Sequence, residues 1–457
     1  MMKNSDGKDL TVGSIPKHLF NFFIPMLLGN LISVLYNIVD TMWVGKIVGH
    51  NAVGACGVSF PVIFILVAVA NGATIATSIL VSQYYGAKNY AMLKKTVNNS
   101  FIIAIVLSII IIGIGISFIG FILKLMNTPD EIFELAKGYL RICLYGFGFQ
   151  YISFLMMSVL RGVGDTITPL LFMIFGAVLN AILDPFFIIG IGPLPKMGLD
   201  GAAWASFVSI LISLIFGFLY LNSKNHIIIP KLSEIKFDKN TSLLILKIGL
   251  PSMAQQSIVS VGAAFMTTLV NSFGNLATAA FGATNKIEGL VMMSAMSLSG
   301  SMASLSGQNI GAKKFDRVNE TFKWGIIIGA AISGFLVIVM QIFPHILMSI
   351  FIDEESVIDI GVEYFRIVSL GYIMLTIMFV SNGVINGAGK TRVTMVFSLL
   401  SLWAVRIPLG LLLSKTGLGI RGLWWAYVIS FTAVMSLSLS YYFLGRWKKN
   451  LPVLINR

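Results

Sequence analysis

The sequence predicts an all-α integral membrane protein with twelve transmembrane helices in two parallel six-helix repeats. Three observations predict it. The 457 residues are 56% hydrophobic and 11% charged, with a mean hydropathy of +0.88. Soluble globular chains carry about 25% charge. Twelve apolar stretches recur along the chain, each long enough to cross a bilayer core of about 30 Å. Finally, the second half echoes the first. SQYYGAK at 82–88 returns as GQNIGAK at 307–313, 225 positions later. Tyr139-Leu140-Arg141-Ile142 returns at that offset as Tyr364-Phe365-Arg366-Ile367. Arg161-Gly162-Val163-Gly164-Asp165-Thr166 returns as Asn386-Gly387-Ala388-Gly389-Lys390-Thr391. Ile24-Pro25 returns as Leu250-Pro251, one residue further on.

The predicted spans of the first half are 19–44, 53–81, 97–123, 133–159, 168–190 and 199–221. Those of the second half are 243–271, 277–306, 318–350, 358–385, 393–413 and 420–444. An even number of spans puts both copies in one orientation, so the repeat is parallel, and such repeats hold a substrate where the halves meet. The division is a lobe at 1–221, a linker at 222–242 carrying four Lys and Pro230, and a lobe at 243–457. The second and eighth spans are rich in Gly, Ala and Ser, which lets helices approach closely. The polar start shows no cleavable signal-peptide pattern.

The net charge of +13 is distributed as a topology signal. With a cytoplasmic N-terminus, the inside segments hold 21 Lys and Arg against 6 outside, as the positive-inside rule requires. Both termini then face the cytoplasm. The basic excess fits anionic membrane lipid better than nucleic acid. Cys56 and Cys143 fall at or inside spans and read as small apolar fillers. The four His are scattered, and no phosphate loop, nucleophile elbow or metalloprotease helix motif occurs. ATP-driven transport by this chain alone and membrane enzymology are therefore disfavoured, and no cofactor is expected.

Among 19 acidic residues, Asp40, Asp184 and Glu288 sit well inside spans. A carboxylate at depth is costly unless paired or facing water, so each is a functional candidate. Asn180 precedes Asp184 by one helical turn and shares its face. Pro185 frees the carbonyl of Ala181 on the adjoining turn. Two carboxylates, an amide oxygen and a spare carbonyl suit a hard monovalent cation such as sodium, or a shared proton. A static buried hydrogen-bond network is the alternative. The second half does not repeat the pair: Met266 stands opposite Asp40, and residues near Leu409 opposite Asp184. It offers Gln255, Gln256, Asn285, Lys286, Glu288 and Arg406 instead. With Asn37 and Met293, the last five of these are the candidates for a substrate cavity, Met293 as part of a soft Met wall.

The segment from Tyr36 to Gly45, the Gly-Gln-Asn-Ile-Gly-Ala run at 307–312 and the loop at 161–166 together resemble the multidrug and toxic compound extrusion (MATE) transporters, over nearly the whole chain. The pattern is closer to the DinF-like and MepA-like branch. The resemblance implies a V-shaped two-lobe transporter of a prokaryotic cell membrane. It would export small cationic drugs in exchange for protons or sodium, as a monomer. It also implies a first-lobe cation site at Asp40, Asn180 and Asp184 with Tyr139 and Ser206 as neighbours. Ser206 stands where related sequences often carry Thr. A lipid-linked precursor flippase of the same superfamily is the alternative. An integral-membrane enzyme would want clustered Asp or His at a water interface, and a scaffold would not need buried carboxylates.

Overall fold

A computed structural model of the chain describes residues 7–192, 195–229 and 236–451; Pro230 and Lys231 of the linker lie outside them. The described residues are almost wholly helical, and no strand occurs among them. The first half holds α1 (Ile15–Ile47), α2 (His50–Gly86), α3 (Tyr90–Leu125), α4 (Asp130–Gly162), α5 (Ile167–Ile189) and α6 (Leu199–Ser223). The second holds α7 (Lys239–Asn271), α8 (Asn275–Gly311), α9 (Phe315–Ile342) and α10 (Pro344–Ser349). It continues with α11 (Glu355–Val368), α12 (Gly371–Gly387) and α13 (Thr391–Leu399). A π-helical stretch (Leu400–Arg406), α14 (Ile407–Ser414), α15 (Ile420–Phe443) and a 3₁₀ turn (Arg446–Lys448) follow.

The second half departs from six plain spans. With α13, the π-helical stretch and α14 taken as one (Thr391–Ser414), ten described helices are long and apolar enough to cross a membrane, or eleven with α11 and α12 taken together. The helix left out is α8, 37 residues long and rich in Ser and Gly. Its long buried face packs on α9, α11 and α12, so protein rather than lipid receives it. The expected span at 318–350 ends early, because Pro344 starts the separate α10. The span at 358–385 is bent by 51° between α11 and α12. There the Gln341 amide donates to the Arg366 carbonyl at 3.0 Å and the Ser369 hydroxyl at 2.8 Å. A freed backbone group at membrane depth needs such a partner. The π-helical stretch lies just ahead of Pro408, whose missing N–H disturbs the i→i−4 ladder.

Packing gathers the chain into two units. One comprises the chain up to Lys8, Leu28–Val81 and Asn89–Gly249; the other comprises Asp9–Leu27, Ser82–Lys88 and the chain from Leu250 onward. This differs from a division at 221 and 243. The described residues of the linker and Lys239–Gly249 of α7 belong to the first unit, and Ile15–Leu27 of α1 to the second. The changes fall within two residues of Pro25 and Pro251, which the repeat equates. Hydropathy marks where a helix lies in a membrane, not which bundle its first turns pack on.

The repeated GAK segments are explained inside the second unit. The ends of α2 and α8 cross there with pseudo-twofold symmetry. A Cβ on Gly86 would lie 1.9 Å from the Gln308 carbonyl oxygen, and one on Gly311 1.9 Å from that of Gln83. Gln83 Nε2 donates to the Gly387 carbonyl at 2.6 Å. Gln308 Oε1 accepts from the Leu10 N–H at 2.9 Å. Both helices then turn through a left-handed lysine, Lys88 (φ +56°) and Lys313 (φ +60°).

In the first unit, Asn99 of α3 holds the start of α7. Its Oδ1 accepts from the Asp238 N–H at 2.8 Å and the Ser242 hydroxyl at 3.0 Å. Asp238 caps α7 by accepting from the Thr241 N–H at 2.8 Å and pairs with Lys95 at 2.8 Å. The hydrogen bond from Lys95 and those from Thr241 hold its carboxyl down at about 2.

Two predictions follow from these contacts. Gly86→Ala and Gly311→Ala force backbone apart and are expected to cost about 1–3 kcal/mol each. Gly57→Ala and Gly113→Ala enter open space and should be tolerated. Melting temperatures of the four purified variants decide it, and equal values across the set would refute the crossing. Asp238→Ala loses the cap and the ion pair. Because the folded carboxyl is depressed, its contribution is full above the ordinary value of 3.8 and fades as pH falls through about 2. The gap in melting temperature between wild type and variant should therefore be constant from about pH 5 to 8; a gap that closes within that window would contradict the assignment.

Candidate functional site

The first unit gathers polar side chains from three helices. Tyr36 and Asp40 lie one turn apart on α1, as do Asn180 and Asp184 on α5, so each pair shares a face. Ser206 on α6 joins them. The Tyr36 hydroxyl and Ser206 Oγ are 2.7 Å apart. Asn180 Nδ2 donates to Ser206 Oγ at 3.2 Å and to Asp184 Oδ1 at 3.1 Å. Asn180 and Asp184 are 1% and 0% exposed. Asp40 lies close enough for its charge to act on Asp184 and Tyr36.

The donors in this cluster are spent and the acceptors are not. Asp40 Oδ1, Asn180 Oδ1 and Asp184 Oδ2 are buried, and each has no hydrogen-bond partner among the described residues. Three such oxygens fit a hard cation or a proton by chemistry. Two carboxylates in a low dielectric resist joint ionisation without one. Among the described residues no group of three or more His, Cys, Asp or Glu could hold a metal, so a cation here would rely on the amide oxygen as well.

Tyr139 lies on α4 beside Cys56 of α2 and Cys143, one turn further along α4, and the charge of Asp40 reaches all three. No hydrogen bond joins Tyr139 to Asn180, Asp184 or Ser206 among those described. The sequence reading missed Tyr36, although its i,i+4 spacing to Asp40 is a usable signal. It also missed that the cysteines border the cluster, which nothing in their spacing reveals. A cavity of about 150 Å³ opens next to Tyr36. It is lined by apolar side chains, among them Phe154, Met157, Phe172 and Met173, interspersed with the polar Ser33, Gln150, Ser153 and Ser209.

The residues predicted for a substrate cavity come from both units. Asn37 belongs to the first unit, is exposed, and donates to the Ser33 carbonyl at 2.7 Å. In the second unit Asn285 and Lys286 are exposed, with Lys286 5.3 Å over the Phe351 ring. Gln256 and Met293 are half-buried; the Gln256 carbonyl accepts from Ser260. Glu288 and Arg406 each contact one of two neighbouring rings, Tyr364 and Tyr427, whose centroids lie 6.4 Å apart. Glu288 is 9% exposed and accepts from the Tyr364 hydroxyl at 2.5 Å. Arg406 stacks 4.2 Å over Tyr427 and 4.6 Å over Phe431, bonds Ser430 Oγ at 2.9 Å, and its charge reaches Glu288.

A repeated bundle of membrane-length helices, with buried ionisable groups beside a polar cavity, has the design of a secondary transporter. The chain belongs to the MatE family, whose profile matches residues 25–186 and 251–412, once in each repeat. It is 31% identical to the probable multidrug resistance protein YoeA of Bacillus subtilis, over 95% of this chain and 95% of that one. It is 24% identical to the multidrug export protein MepA of Staphylococcus haemolyticus, over 93% of each. Its fold matches a MOP superfamily transporter from Pyrococcus furiosus with a TM-score of 0.90, at 23% identity, over 98% of this chain and 100% of that one.

Proposed function

We propose that this chain is a secondary active multidrug exporter that expels cationic amphipathic compounds in exchange for protons or sodium. It works as a single chain in a prokaryotic cell membrane, with both termini in the cytoplasm. Asp40, Asn180 and Asp184 hold the coupling ion. Tyr36 and Ser206 orient the Asn180 amide so that its oxygen is left for the ion. Tyr139 flanks the Asp40 side. The observation that carries this reading is the set of three buried acceptor oxygens left without donors beside a cavity lined by both apolar and polar side chains. That mixed lining suits an amphipathic cation, with Phe154, Phe172 and the methionines for its rings and Tyr36 and Gln150 for its polar groups.

Exchange requires that ion and drug each favour a different state of the protein. Reciprocity then makes drug weaken ion binding by the factor with which ion weakens drug binding. A coupling of about 1–3 kcal/mol shifts drug affinity about 5–150-fold. Asp40→Asn and Asp184→Asn remove the charge and keep the shape. Each is expected to reduce ethidium efflux to the level of cells lacking the protein, at equal expression. Asn180→Ala should change ion dependence more than drug affinity. Everted vesicles under separately imposed pH and sodium gradients identify the ion. Near-normal efflux by both Asp variants would reject the site and favour a static network.

A further inference from the structure

The two halves share a fold, so equivalent positions can be compared. Gly198 (φ +57°) and Gly419 (φ +53°) precede α6 and α15 in the same left-handed conformation. Gly201, Trp204 and Ala205 then align with Gly422, Trp425 and Ala426. One hydrogen bond repeats as well: Ser209 Oγ donates to the Ser206 carbonyl at 3.0 Å, and Ser430 Oγ to the Tyr427 carbonyl at 2.8 Å. Tyr427 is therefore the counterpart of Ser206. Around Ser206 the donors are spent and acceptor oxygens are left over. Around Tyr427 the surplus has the opposite sign.

Arg406 supplies that surplus. Its guanidinium lies 4.2 Å from the ring centroid of Tyr427 and 4.6 Å from that of Phe431. The two rings are 6.0 Å apart and inclined at 70°, so the head rests against two differently tilted faces. Its Nε donates to Ser430 Oγ at 2.9 Å, and that hydroxyl passes its own hydrogen to the Tyr427 carbonyl. Ring contacts and this bond together fix the orientation of the fork. The Nη1 and Nη2 groups donate to no described residue. Glu288 lies within the field of Arg406 but accepts from the Tyr364 hydroxyl at 2.5 Å, and no ion pair joins the two. Arg406 is half-buried, so the free end of the fork stays reachable.

Its setting is a second, independent observation. Arg406 closes the π-helical stretch Leu400–Arg406, inside the membrane-length segment Thr391–Ser414. Interruptions of this kind are frequent at functional sites. A cation at membrane depth is costly and reads as functional by default. A residue needed only to pack on Tyr427 and Phe431 would carry no charge.

We propose that Arg406 is an anion site of the second unit, and that its ligand is the carboxylate of an apolar organic acid. The free end of the fork matches the two oxygens of a carboxylate. One guanidinium balances one negative charge, which suits a carboxylate rather than a phosphate dianion. Membrane depth adds the need for an apolar body, because a small hydrated anion would give up its water for a single cation. This goes beyond the transport reading and holds whichever ion the first unit takes.

The test titrates purified full-length protein with sodium benzoate and reads heat of binding and melting temperature. Benzoate should bind saturably and raise the melting temperature. Benzyl alcohol, its neutral relative, and equal sodium chloride should do neither. Arg406→Met keeps the apolar stem and should lose the benzoate response. Arg406→Lys keeps the charge without the fork and should bind benzoate about tenfold more weakly. Asp40→Asn, which probes the ion site, should bind benzoate as wild type does, so the two readings fail separately. The proposal is overturned if benzoate acts no differently from benzyl alcohol, if Arg406→Met binds it like wild type, or if Asp40→Asn abolishes binding. Should Arg406→Met yield no folded protein, Arg406→Lys decides: weakened binding supports the site, and undiminished binding overturns it.

Discussion

The constraint on which the rest of this structure depends is the neutralisation of charge inside a low-dielectric bundle. An ionised carboxylate out of water is costly unless a counter-charge or donors accompany it. The first unit places Asp184 at 0% exposure with a single amide donor. It sets Asp40 within reach of that carboxylate and supplies no cation among the described partners. The second unit places Glu288 at 9% exposure with a tyrosine hydroxyl donating to it and within the field of Arg406. The first unit is left electrically incomplete at its carboxylates. An incomplete site is the one that can respond to something outside the protein.

The helices around these sites are arranged to make such placement possible. Bulky apolar faces go to lipid, as the many exposed Ile, Leu and Phe of α3 and α5 show. Small residues go to the crossings, where Gly86 and Gly311 admit backbone contact that no side chain would allow. Polar side chains repair the breaks: Gln341 at the bend between α11 and α12, Asp238 and Asn99 at the start of α7. Each repair satisfies a backbone group that would otherwise be stranded.

The repeat was legible in the sequence because its markers are backbone-dictated. The crossing of α2 and α8 leaves no room for a Cβ at Gly86 or Gly311, so glycine stands there in both copies. Asp40, Asn180 and Asp184 were legible because carboxylates at depth are rare and helical spacing sets shared faces. What was not legible depends on partners from other helices. That Tyr36 would reach Ser206 requires the separation of α1 and α6. That Tyr364 would donate to Glu288 requires α11 to pack on α8. The exchange of the first turns of α1 and α7 between units lay hidden for the same reason: periodicity describes a helix, not its neighbours.

The sites are not the only place where the copies differ in sign. At the start of α6, Asp200 lies over Gly138, where a Cβ would be 2.8 Å from its Oδ1, and the charge of Arg141 acts on it. At the start of α15 the counterpart is Arg421, which pairs with Glu363, the counterpart of Gly138. Acid has become base on the later helix, and an acid has been added on the earlier one. Where the first copy has Ser206, the second has Tyr427, over which Arg406 stacks. The copies thus diverge in charge and in side-chain size at neighbouring positions, because a guanidinium seats on an aromatic face while a small hydroxyl leaves room for the Asn180 amide.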